Sequence, residues 1–89
     1  MYVVAVHEMH DPDKVWEMAK GWIPPEGFTI HFSISSEQGR RAVCLWEAES
    51  PEAVQALIDG GFGAVASTET FAVDEKYATE AGFPSGLPR

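Results

Sequence analysis

The chain is poor in positive charge and in cysteine. It carries 6 Lys and Arg against 14 Asp and Glu, which gives a formal net charge of −8. Nucleic-acid binding depends on Lys and Arg that neutralise phosphates, and anionic membranes attract basic segments. We therefore expect neither kind of partner. Cys44 is the one cysteine of the sequence, so it cannot form an internal disulfide, as is typical of proteins in reducing compartments.

Long apolar runs are also missing. No segment approaches the roughly 20 apolar residues of a membrane helix, and the first residues lack the basic region and apolar stretch of a signal peptide. We expect a cytoplasmic protein. Its 89 residues are 45% hydrophobic and include 3 Trp and 5 Phe, which is typical of a folded domain. A chain of this size buries about 60–65% of its extended surface, so pairing with a second copy would enlarge a modest core.

An internal repeat dominates the sequence. Residues 3–21 align without a gap with residues 42–60. Each copy begins as a short strand and continues into Asp11-Pro12 or Ser50-Pro51, an N-cap followed by proline at the first helical position. Apolar residues then recur at the i, i+3, i+4, i+7 spacing of a buried helical stripe. These are Val15, Met18, Ala19 and Trp22 in the first copy, and Val54, Leu57, Ile58 and Gly61 in the second.

A further strand follows each helix, over 28–35 and about 67–74, and Gln38-Gly39 supplies the turn between the second and third strands. The order βαββαβ predicts an α+β domain with the split-βαβ, or ferredoxin-like, arrangement. Its four-stranded antiparallel sheet, in the order 4-1-3-2, carries both helices on one face. We expect this domain over residues 1–74, with residues 75–89 as a C-terminal tail available to pack on a partner subunit.

Alternation divides each strand between the two faces of the sheet. The larger apolar side chains share one parity and are expected beneath the helices. They are Val4, Val6, Phe28, Ile30, Phe32, Ile34, Val43, Leu45, Phe71 and Val73. The other parity then forms a bare face, too apolar for water and too polar for an ordinary core. Such a face predicts a homodimer in which two sheets pack back to back around a small cavity, a dimeric α+β barrel.

The bare face carries the candidate ligand-binding residues. They are His7, Thr29, His31, Ser33, Cys44, Trp46 and Thr70. Trp46 offers a flat wall for a small aromatic or apolar molecule. We interpret the set as the lining of a binding cavity that needs no cofactor. Alternatively, His7 and His31 are candidate catalytic residues, because an imidazole titrates near working pH and suits a general base.

A metal site is a further alternative. His7 and His31, with the Cys44 thiolate between them, form a soft donor set for nickel or another divalent metal. The adjacent pair His7 and His10 is less suitable, because side chains three apart on a strand point to opposite faces.

Two segments resemble small dimeric α+β-barrel families. They are Pro-Pro-Glu-Gly at 24–27 and CLWEAESPEAV at 44–54. Bacterial domains of unknown function are among these families, and a related ferredoxin-like family with a similar Cys-Leu-x-Glu-Ala run includes a nickel-binding protein. The resemblance covers about residues 1–74 and implies the fold. These families are related to the antibiotic-monooxygenase-like superfamily, which includes cofactor-free monooxygenases and polyketide cyclases. The resemblance therefore implies such an enzyme as an alternative to a binding module or a nickel-binding protein.

Overall fold

Two strand–helix–strand units follow one another in this computed structural model, which describes residues 1–74. The elements are β1 (Tyr2–Met9), α1 (Pro12–Ala19), β2 (Thr29–Ser35), β3 (Arg41–Glu47), α2 (Pro51–Phe62) and β4 (Ala66–Ala72). The order βαββαβ expected from the sequence is therefore confirmed. The predicted C-terminal tail, residues 75–89, lies outside the described residues.

The four strands form one antiparallel sheet in the order β2-β3-β1-β4. On one side of β1 lies β3, which places Ala5 opposite Cys44 and His7 opposite Ala42. On its other side lies β4, which places Thr68 opposite His7. This strand order makes the α+β fold ferredoxin-like, as the sequence predicts. Within residues 1–74 no helix is long and apolar enough to span a membrane.

Both helices begin at the capping residues that the repeat predicts. The side chains of Asp11 and Ser50 each accept a hydrogen bond from a backbone amide in the first helical turn, at 3.3 and 3.1 Å. Proline follows each cap, where its missing amide proton costs nothing because that amide would have no helical partner. α1 ends at Ala19, so Trp22, which the apolar spacing assigned to the helical stripe, lies in the segment beyond it.

The two helices differ in how closely they approach the sheet. α2 packs closely against β4 and β1, whereas α1 makes no comparably close approach to any strand of the described chain. Small side chains on β4 allow α2 to come near. There Gln55 donates to the Thr68 carbonyl at 2.7 Å, and the Thr70 hydroxyl donates to the Pro51 carbonyl at 3.1 Å. The larger side chains of α1 and a cavity separate that helix from the sheet.

The helices cover the face of the sheet opposite to the one expected from the sequence. The buried core there consists of Val3, Ala5, Cys44, Trp46, Ala48, Val54 and Ile58. We call this side the helix-covered face. The prediction that the larger apolar set lies beneath the helices is wrong, although the division of β1, β3 and β4 between two faces is confirmed. The helices bring large side chains of their own, so small strand residues complete the layer at interior packing density.

β2 departs from regular alternation. The register shifts between Ile30 and Phe32, which leaves His31 as the extra residue of a β-bulge. Ile30 and Ser33 consequently both lie on the helix-covered face, where they line the cavity. His31 lies on the opposite face, with its Nε2 atom 3.1 Å from the Oε1 atom of Glu47. The bulge therefore separates His31 from the residues with which the sequence grouped it.

The opposite face carries the larger apolar side chains, and neither α1 nor α2 covers it. We call it the open face. Its apolar members are Val4, Val6, Phe32, Ile34, Val43, Leu45 and Phe71. Leu45, near the middle of the sheet, is 6% exposed, whereas Ile34 and Phe71 are 61% and 50% exposed. A sheet face of this composition favours a further packed layer.

Candidate functional site

A cavity of about 280 Å³ lies between the helix-covered face and α1. His7, Cys44 and Trp46 contribute to its lining from the sheet, while Trp16 and Trp22 contribute from α1 and the segment after it. The lining is almost entirely apolar. Trp16 and Trp22 are 39% and 38% exposed, so the cavity reaches solvent beside them. Its volume is close to the lower end of ligand sites, which occupy roughly 300–1,000 Å³.

A polar network crosses the sheet side of this cavity. The Nδ1 atom of His7 lies 2.8 Å from the Thr68 hydroxyl, and its Nε2 atom lies 3.3 Å from the Sγ atom of Cys44. The thiol donates in turn to the Ser33 hydroxyl at 3.2 Å. With its proton directed to Ser33, the sulfur accepts from Nε2–H of His7, and Nδ1 accepts from Thr68. The network takes one residue from each strand and so fixes the imidazole in place.

Burial changes the acid–base behaviour of both titratable groups in the network. It lowers the pKa of His7, because the charged imidazolium loses its hydration. Burial likewise raises the pKa of the Cys44 thiol, and the hydrogen bond with Ser33 opposes that rise in part. Both shifts favour the neutral forms. Near neutral pH the network is therefore an uncharged imidazole beside an uncharged thiol.

Trp46 is held in a cluster of aromatic rings. Its ring centroid lies 6.2 Å from that of Trp22 and 6.4 Å from that of Phe28, both in edge-to-face arrangements. Trp22 also meets Phe62 edge to face at 5.7 Å. Such pairs stabilise one relative orientation of the rings. The cluster thereby gives the cavity a wall of aromatic side chains with fixed positions.

The structure brings together four of the seven predicted ligand-binding residues. His7, Ser33, Cys44 and Trp46 all line the cavity. The other three lie elsewhere. Thr29 and His31 belong to the open face, where the ring centroid of His31 is 5.6 Å from that of Tyr2. Thr70 shares the helix-covered face but bonds to the backbone of Pro51 and the side chain of Gln55 in α2.

The hypothesis that His7 and His31 share a cavity is therefore wrong in its geometry. The sheet separates them, so they cannot act as a pair of bases on one bound molecule. The proposed donor set of His7, His31 and Cys44 fails for the same reason. Among residues 1–74, no group of three or more His, Cys, Asp or Glu side chains is placed to hold a metal ion. His10 is likewise remote from this network, since its Nε2 atom pairs with Ser67 at the surface, at 2.7 Å.

Several lining residues come from the first helical unit rather than from the sheet. Trp16, Ala19 and Trp22 line the cavity, whereas the apolar spacing of the sequence placed Ala19 and Trp22 in a buried helical stripe and gave Trp16 no role. The available signal was the size of the two tryptophans. The indole rings of Trp16, in α1, and Trp22, just after it, are too large to lie between the helix and the sheet unless the helix stands away from the sheet. Pro24, which also lines the cavity, fixes the path of the chain after Trp22.

Comparison with known domain families identifies one family that the chain matches. The profile of a family described as a domain of unknown function (DUF3303) matches residues 2–81. No curated protein and no solved structure matches the sequence. The matched segment covers most of the 89 residues and contains the six strands and helices found in residues 1–74. The chain therefore belongs to the DUF3303 family of domains of unknown function.

Proposed function

We propose that this domain binds a small, predominantly apolar molecule in the cavity beneath α1. One observation carries the proposal: an almost wholly apolar cavity of about 280 Å³ is present under a helix, in a domain of modest size. Protein interiors normally close voids larger than a water molecule. A cavity that persists between aromatic side chains and opens to solvent is typical of a ligand site.

The arrangement of the cavity suits recognition rather than chemistry. Both ring nitrogens of His7 already have protein partners, Thr68 and Cys44. Burial lowers the pKa of this histidine, which makes it a weaker base than an exposed imidazole. The monooxygenase-like or cyclase-like alternative consequently has less support than binding, and it would depend on His7 alone because His31 lies on the open face.

A homodimer formed through the open face is the second part of the proposal. Stacked sheets pack about 10 Å apart, and a second sheet would remove Ile34 and Phe71 from water, which are 61% and 50% exposed. This dimer differs from the one expected from the sequence. The ligand cavity would not lie between the two sheets; each protomer would keep its own cavity under α1.

Thermal unfolding in the presence of two-ring probes tests the binding function. Tetralin and its ketone 1-tetralone are both small, neutral and mostly apolar. A molecule that binds only the folded state raises the unfolding temperature, and the rise continues with the logarithm of its concentration above the dissociation constant. We expect at least one of the two probes to raise the Tm of the wild-type protein in this concentration-dependent way.

Matched leucine substitutions locate the effect. Ala19 lines the cavity, so Ala19→Leu places three additional carbon atoms in it and should abolish the rise in Tm. Ala56 lies on the exposed side of α2, and Ala56→Leu should keep the rise. A protein whose Tm responds to neither probe, or an Ala19→Leu variant that responds like the wild type, contradicts the proposed function.

A further inference from the structure

We propose that the ligand of this cavity is a neutral, mostly apolar molecule bearing an oxygen that accepts a hydrogen bond from the Nε1–H group of Trp46. The inference rests on the proposed function, which it narrows to a chemical class. Three observations support it: a buried indole donor without an acceptor, a polar network that already satisfies the other buried groups, and a cavity wall to which the described part of the chain contributes no Lys or Arg.

The indole donor of Trp46 is the first observation. Trp46 lines the cavity and is 2% exposed. Among residues 1–74, its Nε1 atom is the one buried side-chain nitrogen or oxygen that has no hydrogen-bond partner. Buried donors are nearly always paired, because an unpaired one has lost its hydration without compensation. Since the ring borders the cavity, a bound molecule that moves a neighbouring side chain slightly aside can reach this buried donor and provide the missing acceptor.

The neighbouring polar groups do not need a ligand in the same way. His7 is paired at both ring nitrogens, and the thiol of Cys44 lies between His7 and Ser33. Trp16 and Trp22, the other two indoles at the cavity, are partly exposed, so water can satisfy them. The site therefore lacks one hydrogen-bond acceptor, for the Nε1–H group of Trp46. A carbonyl oxygen is the simplest group that can serve as this acceptor.

The charges at the cavity define the rest of the class. Among residues 1–74 no Lys or Arg lines the cavity, and the formal net charge of the chain is −8. A carboxylate or phosphate bound there would lose its hydration without a cation to replace it, which is strongly unfavourable. A neutral carbonyl compound loses far less on transfer. The small volume and the aromatic walls further favour a compact planar ligand over a chain.

Calorimetric titration of the wild-type protein with three matched probes tests the inference. Tetralin has no acceptor, 1-tetralone adds one carbonyl oxygen, and tetralin-1-carboxylate adds a charged group to the same two rings. We expect 1-tetralone to bind about ten-fold more tightly than tetralin, because the buried indole is paired only by the ketone. The carboxylate should bind more weakly than either.

Two variants separate the hydrogen bond from the packing. Trp46→Phe keeps an aromatic wall but removes the donor, and should reduce the preference for 1-tetralone over tetralin to about two-fold or less. Ala56→Leu, on the exposed side of α2 and outside the cavity, should leave the preference near ten-fold. If Trp46→Phe does not fold, the indole N–H resonance of Trp46 in the wild type, assigned by elimination with Trp16→Phe and Trp22→Phe, gives the same information. It should move downfield with 1-tetralone and not with tetralin.

The outcomes distinguish this inference from the proposed function. Equal affinity for tetralin and 1-tetralone would keep the cavity as a binding site. It would overturn the claim that a ligand oxygen accepts a hydrogen bond from Trp46, and a water molecule would be the acceptor instead. Tighter binding of tetralin-1-carboxylate than of the two neutral probes would overturn the claim that the ligand is uncharged. Failure of all three probes to bind would overturn both the inference and the proposed function.

Discussion

The imidazole of His7 and the thiol of Cys44 meet on the helix-covered face of the sheet, with Nε2 and Sγ 3.3 Å apart. The two residues come from adjacent strands, β1 and β3, and they are diagonal neighbours on one face, two rungs apart in the ladder. In many enzymes such a pair yields a thiolate and an imidazolium. Here burial disfavours the charged form of both groups. The pair consequently behaves as a neutral hydrogen-bonded element of a cavity wall.

The first prediction concerns the reactivity of Cys44. Burial raises the pKa of its thiol, so the reactive thiolate is scarce at neutral pH and the sulfur is shielded from reagents. We expect iodoacetamide to alkylate Cys44 in the native protein at least ten-fold more slowly than in urea, as followed by intact mass. Native labelling as fast as labelling of the unfolded chain would contradict a buried, neutral thiol at Cys44.

The second prediction is a loss of stability on mild acidification. The pKa of His7 is lower in the folded state than its ordinary value of 6.5, so below that value the unfolded chain binds more protons. The stability contributed by the neutral imidazole is complete above pH 6.5 and is lost as the pH falls towards the folded-state pKa. Urea unfolding measured from about pH 7.5 down to about pH 5.5 should show a decreasing free energy of unfolding.

Two glutamine variants assign that pH dependence. His7→Gln should flatten it between about pH 7.5 and about pH 5.5, because the titrating group is removed. His10→Gln, at an exposed position, should retain the wild-type slope. A slope that persists in His7→Gln but disappears in His10→Gln would assign the titration to the exposed His10 and contradict the role given to His7.

The fold was predictable because its signals are local. Asp11-Pro12 and Ser50-Pro51 define the two helix starts through capping and proline geometry, and the structure confirms both. Strand alternation is equally local, and it correctly separates Ala5 from Val6 and Cys44 from Leu45. The side on which the helices pack is not local. It depends on the volume that residues such as Ile58 bring to the shared layer, and the alternation pattern of the strands carries no information about that volume.

The candidate site was only partly predictable for related reasons. His7, Cys44 and Trp46 share a parity, so their grouping follows from alternation. Regular alternation through β2 places His31 in the same group, and the residues around His31 give no sign of a β-bulge. The cavity itself arises because α1 stands away from the sheet, a distance set by the combined size of side chains on two elements.

The third prediction tests the capping residue of α2. The Ser50 hydroxyl accepts a hydrogen bond from the Ala53 amide at 3.1 Å, and loss of an N-cap oxygen typically costs about 1 kcal/mol. Ser50→Ala should therefore lower the free energy of unfolding in urea by about 1 kcal/mol. Ser35→Ala, at an exposed position on β2, is the comparison variant and should change it by less than about 0.5 kcal/mol. Equal losses of unfolding free energy in the two variants would contradict the stabilising role of the Ser50 cap.

The fourth prediction addresses the dimer through the open face. Ile34 and Phe71 are exposed apolar residues of that face, so placing charges there should prevent a second sheet from packing. We expect the wild-type protein to sediment as a dimer and the double variant Ile34→Glu with Phe71→Glu to sediment as a folded monomer. Ile23 is 82% exposed and lies outside the sheet; Ile23→Glu should remain dimeric. A wild-type protein that is monomeric at all concentrations contradicts the dimer.

The most direct test of the central claim is to map a bound probe by amide and indole chemical shifts. Titration of the isotope-labelled protein with 1-tetralone should move the resonances of His7, Cys44 and Trp46, which line the cavity under α1. Resonances of Leu45 and Ile34 on the open face should move much less. Shifts confined to the open face, or no saturable shifts at all, would contradict the account of the cavity beneath α1 as the binding site.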